Sequence, residues 1–179
     1  MLPVREIENL ALIGFMGSGK SAVGRCVAQM LGFEFLDTDQ LIETQAGKSI
    51  SEIFAQDGEP AFRGWERRVV EGLVGRKAFV ISTGGGLPAN PENLAGLKAT
   101  ALVICLWASP ETLLRRVQGH THRPLLNDPD PEKKIRDLLA LREPFYRQAD
   151  VLINTELRSV REVAQHVVHE FQLAREHRP

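Results

Sequence analysis

Cysteine is scarce: Cys26 and Cys105 are the only two in the chain. Two thiols make no disulfide framework, and each sits in an apolar run, so both read as buried structural thiols. A reducing cytoplasm is the natural compartment for such a protein. Long apolar runs are missing as well. The longest, residues 101–108, falls far short of the ~20 residues needed to cross a bilayer. Residues 1–9 carry charges and no apolar block, so no signal peptide is read there. Neither sign of charge dominates, with 22 Lys plus Arg against 23 Asp plus Glu and a net charge of −1. That balance argues against a dedicated partner in nucleic acid or an anionic membrane. Internal repeats and low-complexity stretches are absent.

What is present is an ordinary globular composition: 179 residues, 43% hydrophobic and 25% charged. This length suits a single domain, perhaps with a small appended subdomain, and buries roughly 70% of the unfolded surface. Nothing reads as a charge-rich coiled coil, so a monomer is expected. Short strand-like runs at residues 10–15, 33–36, 79–82, 102–107 and 151–153 alternate with helix-like segments at 23–31, 41–45, 50–56, 61–74, 110–118, 132–147 and 160–173. Ser109 reads as the cap and Pro110 as the first residue of the helix they open. Pro144, inside a helical pattern, predicts a kink or break. The strands are apolar on both faces, which marks a parallel sheet covered by helices. Such sheets bind ligands beyond the carboxyl ends of their strands. Residues 43–74 form a helical insertion suited to a substrate subdomain, and the polar, proline-rich residues 119–131 suit a mobile lid.

The strongest motif is Gly14-Phe15-Met16-Gly17-Ser18-Gly19-Lys20-Ser21, which fits G-x-x-x-x-G-K-[ST]. Its glycines let backbone N–H groups converge on phosphate oxygens at the start of the next helix. Lys20 would reach the β- and γ-phosphates and the Ser21 hydroxyl would ligate Mg²⁺. Most proteins with this loop also hold the metal through an Asp ending a second apolar strand. Here the candidate strands end in Ile81-Ser82-Thr83 and Leu106-Trp107-Ala108, without one, and Asn-Lys-x-Asp is absent. A GTPase and a motor-type ATPase are disfavoured, and Asp37 is left as the metal-side carboxylate.

Asp37-Thr38-Asp39 places two carboxylates at i and i+2. On extended backbone both point the same way, one towards Mg²⁺ and one towards an acceptor hydroxyl. Alternatively Asp39 caps the following helix. Arg63 and Glu66 lie at i and i+3 on a helix, as a surface salt bridge or as an arginine clamp for a planar carboxylate steadied by Glu66. Gly84-Gly85-Gly86 is a plain turn or a close approach of backbone to a small ligand. Arg115, Arg116, His120, His122 and Arg123 form a cationic cluster, either solvated or closing on phosphates, with Arg123 the best candidate because Pro124 stiffens the chain after it. Arg142 is a second carboxylate clamp or pairs on the surface with Glu143 or a nearby acid.

Together the phosphate loop, Asp37-Thr38-Asp39, Phe62-Arg63-x-x-Glu66, Gly84-Gly85-Gly86, Arg123-Pro124-Leu125-Leu126 and Arg142-x-Pro144-x-Tyr146 resemble the shikimate kinase family in order and spacing over residues 10–154. The resemblance implies an α/β P-loop kinase fold: a five-stranded parallel sheet flanked by helices, a helical substrate-binding insertion at about 38–75 and a mobile lid at about 119–131, all within one domain. It implies ATP-dependent phosphorylation of the 3-hydroxyl of shikimate, on the way to chorismate and the aromatic amino acids. Gly14, Gly17, Ser18, Gly19, Lys20, Ser21, Ala22, Arg116 and Arg123 would bind ATP, with Arg116 against adenine and Arg123 reaching from the lid. Asp39, Arg63, Gly84, Gly85, Gly86 and Arg142 would bind shikimate. Lys20, Asp39 and Arg123 would be catalytic, and Ser21 and Asp37 would serve Mg²⁺, Asp37 mainly through water. Trp65, between Arg63 and Glu66, reads as packing. His120, His122 and residues 174–179 depart from the family pattern. Two other readings stay open. One is a P-loop kinase for gluconate or a nucleoside monophosphate, which would not need both arginine clamps. The other is a non-catalytic nucleotide-binding regulator, which would not need Lys20, Asp39 and Arg123 intact.

Overall fold

The computed structural model describes residues 5–117 and 130–176. Five strands, β1 (Asn9–Ile13), β2 (Glu34–Asp37), β3 (Phe79–Ser82), β4 (Ala101–Trp107) and β5 (Val151–Asn154), form one sheet in the order β2-β3-β1-β4-β5. Every pairing is parallel. Strand β1 lies at the centre with all its residues buried, because both faces of the sheet are covered. Its side chains divide by parity. Leu10 and Leu12 enter a core with Val23, Val27, Val163 and Phe171 from α1 (Lys20–Leu31) and α8 (Val160–Glu176). Ala11 and Ile13 enter the opposite core with Leu94, Leu97, Leu113 and Ile135. Those last residues come from α5 (Pro91–Thr100), α6 (Pro110–Val117) and α7 (Pro131–Tyr146). After β1 the chain passes to one side of the sheet, and it returns at β4 on the other. The carboxyl end of β1 is therefore the switch point where such sheets take ligands.

Between β2 and β3 lie α2 (Thr38–Ala46), α3 (Ile50–Gln56) and α4 (Glu59–Glu71). They share a small core of Ile42, Ile53, Phe62 and Val69, with Trp65 packed against it. The packing reading of Trp65 matches this position. Helix α3 spans the expected residues because Ser49 and Glu52 close a reciprocal capping box at its start.

Two expectations need correction. Helix α5 was absent from the sequence reading: its apolar positions reduce to Leu94 and Leu97, and Gly96 interrupts the pattern. The signals for it were at its start, where the Asn90 side chain accepts from the Glu92 N–H and Pro91 opens the helix. Gly96 is there for packing, since a Cβ on it would come within 2.7 Å of Val70. The second concerns Pro144, which lies inside α7. It falls in the final turn, and the helix stops at Tyr146.

The N-terminal segment is tied to the sheet by Asp150. Its carboxylate accepts from Arg5 Nη1 and Nη2, at 3.0 and 2.6 Å, and from the Val103 N–H at 2.8 Å, and lies 3.2 Å from Lys98. Asp150→Ala is expected to destabilise the protein by about 1–2 kcal/mol at neutral pH, read by urea unfolding. Partial burial raises the Asp150 pKa, but the bonds from Arg5 and Val103 outweigh that and hold it below its ordinary value. The stabilisation is therefore present above the unfolded carboxyl pKa and fades as pH falls through the lower folded value. Equal stability of the variant at pH 7 would remove this tie from the account.

Candidate active site

The loop between β1 and α1 turns on Gly17 and Gly19, at φ 78° and 98°, a region that excludes most side chains. It delivers the N-terminus of α1, and with it Lys20, to the end of the central strand. Lys20 is buried, and its Nζ donates to the carbonyls of Gly14 and Phe15 at 2.8 and 2.9 Å. The Ser18 hydroxyl is buried without a hydrogen-bond partner. The loop thus concentrates donors and positive charge where phosphates would sit.

On the β2 side the structure overturns the extended reading of Asp37-Thr38-Asp39. Strand β2 stops at Asp37 and the chain turns helical at Thr38, so the two carboxylates do not share a strand face. Asp37, not Asp39, is the helix cap: its Oδ1 accepts from the N–H groups of Asp39 and Gln40. Its Oδ2 accepts from the Ser21 hydroxyl at 3.0 Å, and Ser21 also lies 3.3 Å from the Ser82 hydroxyl. Ser82 ends β3, where the sequence was noted to lack an Asp, and its part was not foreseen. Among the described residues, no three His, Cys, Asp or Glu side chains gather to hold a metal. A hydroxyl and a carboxylate in contact nevertheless suit Mg²⁺, a hard cation that takes few protein ligands and keeps several waters.

Asp39, released from capping, has a buried Oδ1 with no hydrogen-bond partner. Burial, then the Asp37 charge, pushes its carboxyl up to about 6, while Lys20 pulls it down. An unsatisfied buried acceptor beside a phosphate loop is costly unless a ligand supplies the donor.

The three-glycine loop gathers the remaining pieces. A Cβ on Gly84 would collide with the Asp39 carboxylate. One on Gly85 would lie 3.2 Å from Arg142 Nη1, and one on Gly86 would lie 2.9 Å from Arg63 Nη1. Each glycine therefore makes room for one expected substrate residue, and a merely flexible turn would not need all three. The loop is anchored by the Gly84 N–H, which donates to the Thr38 hydroxyl at 2.9 Å. Arg63 donates to buried Glu66 at 2.8 Å and to exposed Glu59 at 2.7 Å. Glu59 was not anticipated. Burial raises the Glu66 pKa, with Arg63 and then Arg142 opposing the rise. Arg142 turns inward, its guanidinium 5.5 Å from the Phe15 ring, whereas Glu143 pairs with Arg147. Arg142 is thus not the surface partner of Glu143.

Arg116 is fixed by the hydroxyl and carbonyl of Thr155, at 2.9 and 2.8 Å, and by the Gly17 carbonyl. This joins α6, the phosphate loop and the turn after β5. Arg123, His120 and His122, with most of the expected lid, lie outside the described residues. Ser109 donates to Glu156 and accepts from the Thr112 N–H, so it caps α6 as expected.

The shikimate kinase family pattern matches residues 16–172. The chain belongs to the shikimate kinase family. A shikimate kinase of Caldanaerobacter subterraneus subsp. tengcongensis is 46% identical over 165 residues, covering 92% of this chain and 96% of that protein. The solved structure of shikimate kinase from Acinetobacter baumannii in complex with shikimate superposes with a TM-score of 0.87 at 40% identity, covering 93% of this chain and 94% of that one. The enzyme from Aquifex aeolicus gives 0.77 at 36% identity, covering 94% of this chain and 96% of that one. A gluconokinase from Sinorhizobium meliloti reaches 0.63 at 17% identity, covering 96% of each chain, and shares the fold alone. The family match runs on into α8, beyond the stretch in which the motifs lie.

Proposed function

We infer that the chain transfers the γ-phosphoryl group of ATP to the 3-hydroxyl of shikimate, giving shikimate 3-phosphate and ADP in the route to chorismate. The observation that carries this is the three-glycine loop, which sets an unsatisfied carboxylate and two arginines around one backbone turn beside the phosphate loop. ATP lies with its phosphates on residues 14–22. Lys20 moves from the Gly14 and Phe15 carbonyls to the β- and γ-phosphates. Ser21, and Asp37 mainly through water, would hold Mg²⁺, which would neutralise phosphate charge. Arg116 borders the adenine, and Arg123 adds positive charge at the γ-phosphate.

Shikimate presents its carboxylate to Arg63 and Arg142, a planar acceptor for two forks. Glu66 keeps hold of Arg63 from below while exposed Glu59 gives way. Asp39 accepts a hydrogen bond from the acceptor hydroxyl and sets its oxygen in line with the γ-phosphorus. The bond from phosphorus to that oxygen forms as the bond to the β–γ bridging oxygen breaks; the hydroxyl proton passes to the Asp39 carboxylate, and ADP leaves. Positioning and electrostatics carry the rate. Helices α2–α4 act as the substrate subdomain and residues 119–131 as the lid. A monomer in the cytoplasm, with no nucleic acid or membrane partner, suits this work; among the described residues no helix is long and apolar enough to cross a membrane.

The test is ADP release with Mg-ATP in the presence of shikimate, gluconate or AMP. Turnover with shikimate alone is expected. Equal turnover with gluconate, which also carries a carboxylate, would refute shikimate as the preferred acceptor. Arg63→Ala and Arg142→Ala should each raise the shikimate KM by about tenfold or more, the loss of one charge-assisted hydrogen-bond pair, with the ATP KM little changed. Unchanged shikimate KM in both would remove the clamp assignment.

A further inference from the structure

Tyr146 is the only tyrosine of the chain. Its hydroxyl donates to the Gly85 carbonyl at 2.7 Å, across a long separation in sequence. Gly85 is the glycine whose missing Cβ faces Arg142 Nη1, the Gly14 carbonyl and, at 3.7 Å, that same hydroxyl. Tyr146 ends α7, one turn after Arg142. A single phenol thus meets the acceptor loop and, through the helix, one of its arginines. We propose that the Tyr146 hydroxyl is a positioning group for the acceptor, locking the Gly85 backbone and the Arg142 guanidinium into one register so that shikimate meets a preformed site. The proposal rests on the shikimate reading given above.

Three features favour the hydroxyl over the ring. The ring lines a cavity of about 590 Å³ between α7 and the β4–β5 side of the sheet, whose other walls include Trp107, Leu139 and Leu152. On that side it borders open space while it packs elsewhere into the core, so the hydroxyl makes the directional link to the acceptor loop. Burial pushes the phenol up to about 12, so the donated proton stays in place across the working pH range. The acceptor is a backbone carbonyl, so the bond fixes the Gly85 backbone itself rather than a movable side chain.

Tyr146→Phe keeps the ring and removes the bond. The shikimate KM should rise about five- to tenfold, the worth of one buried hydrogen bond, while the ATP KM stays within about twofold. Combining it with Arg142→Lys should raise KM by less than the product of the single effects, since both act on one register. Because there is one tyrosine, biosynthetic 3-fluorotyrosine labels this site alone and leaves the fold intact. Its ¹⁹F resonance should move on adding shikimate and stay fixed with AMP. A shikimate KM within twofold of wild type in Tyr146→Phe, or an equal rise for ATP, would overturn the proposal. So would a fluorine signal indifferent to shikimate, which also decides the matter should Tyr146→Phe fold poorly. Absence of shikimate turnover by the wild-type protein would instead refute the function itself, and a KM effect confined to Arg142→Lys would overturn the proposal while leaving the arginine clamp in place.

Discussion

Asp39→Asn is expected to abolish most turnover and, at the same time, to stabilise the protein. Asparagine fills the same space, but its amide cannot match a carboxylate as acceptor for the attacking hydroxyl. Removing a group that prepares the nucleophile costs on the order of 10²–10⁴ in rate. ATP binding should survive, because the Ser21 hydroxyl of the phosphate loop bonds to Asp37 and not to Asp39. The stability gain follows from the raised carboxyl, from an ordinary 3.8 to about 6. The folded state binds this proton more tightly than the unfolded state does, so ionisation works against folding. The strain is absent below pH 3.8, grows as pH rises through the interval, and is complete above about 6. At pH 7.5 the variant should be more stable by about 1–3 kcal/mol, with the difference vanishing near pH 4. The same titration predicts that kcat/KM of the wild-type protein falls on the acid side near pH 6, where the free enzyme loses its acceptor. Urea unfolding at the two pH values and a pH–rate profile test both halves. A variant with near-normal turnover would reduce Asp39 to a buried carboxylate without chemical duty.

The capping role illustrates what the sequence can and cannot carry. Two aspartates on either side of a threonine announced a carboxylate pair, and the pair is there. Which one caps depends on where β2 ends, and element boundaries are the least secure part of any sequence pattern. The phosphate loop, the parallel sheet and the β-α alternation were legible because they rest on local periodicity and glycine spacing. Ser82, Thr155 and Glu59 were not. Ser82 meets Ser21 only because β3 runs parallel beside β1, and Thr155 meets Arg116 only because β5 lies beside β4. No local pattern encodes those distances. Glu59 lay one helical turn before Arg63, a spacing that signals an ion pair, but it sat ahead of the expected helix start at residue 61.

Gly84→Ala is expected to leave a folded protein with little activity. The added methyl collides with the Asp39 carboxylate, the end of a short side chain. The backbone conformation is no obstacle, since Gly84 is not among the glycines at positive φ. The cheapest relief is rotation of Asp39 away from the loop, which the fold can absorb. Catalysis cannot, because a displacement of about 1 Å at a reacting group costs on the order of 10² in rate. Gly14→Ala makes the contrast. There φ is 137° and the methyl meets the Leu106 backbone carbonyl, which no side-chain rotation relieves, so stability falls together with activity. Thermal melts alongside kcat separate the two cases. Gly84→Ala should keep a Tm close to wild type while kcat drops about a hundredfold, and Gly14→Ala should lose both. Normal turnover in Gly84→Ala would mean that Asp39 can do its work from another position, and the reason for a glycine there would have to be sought in the bound substrate rather than in the carboxylate.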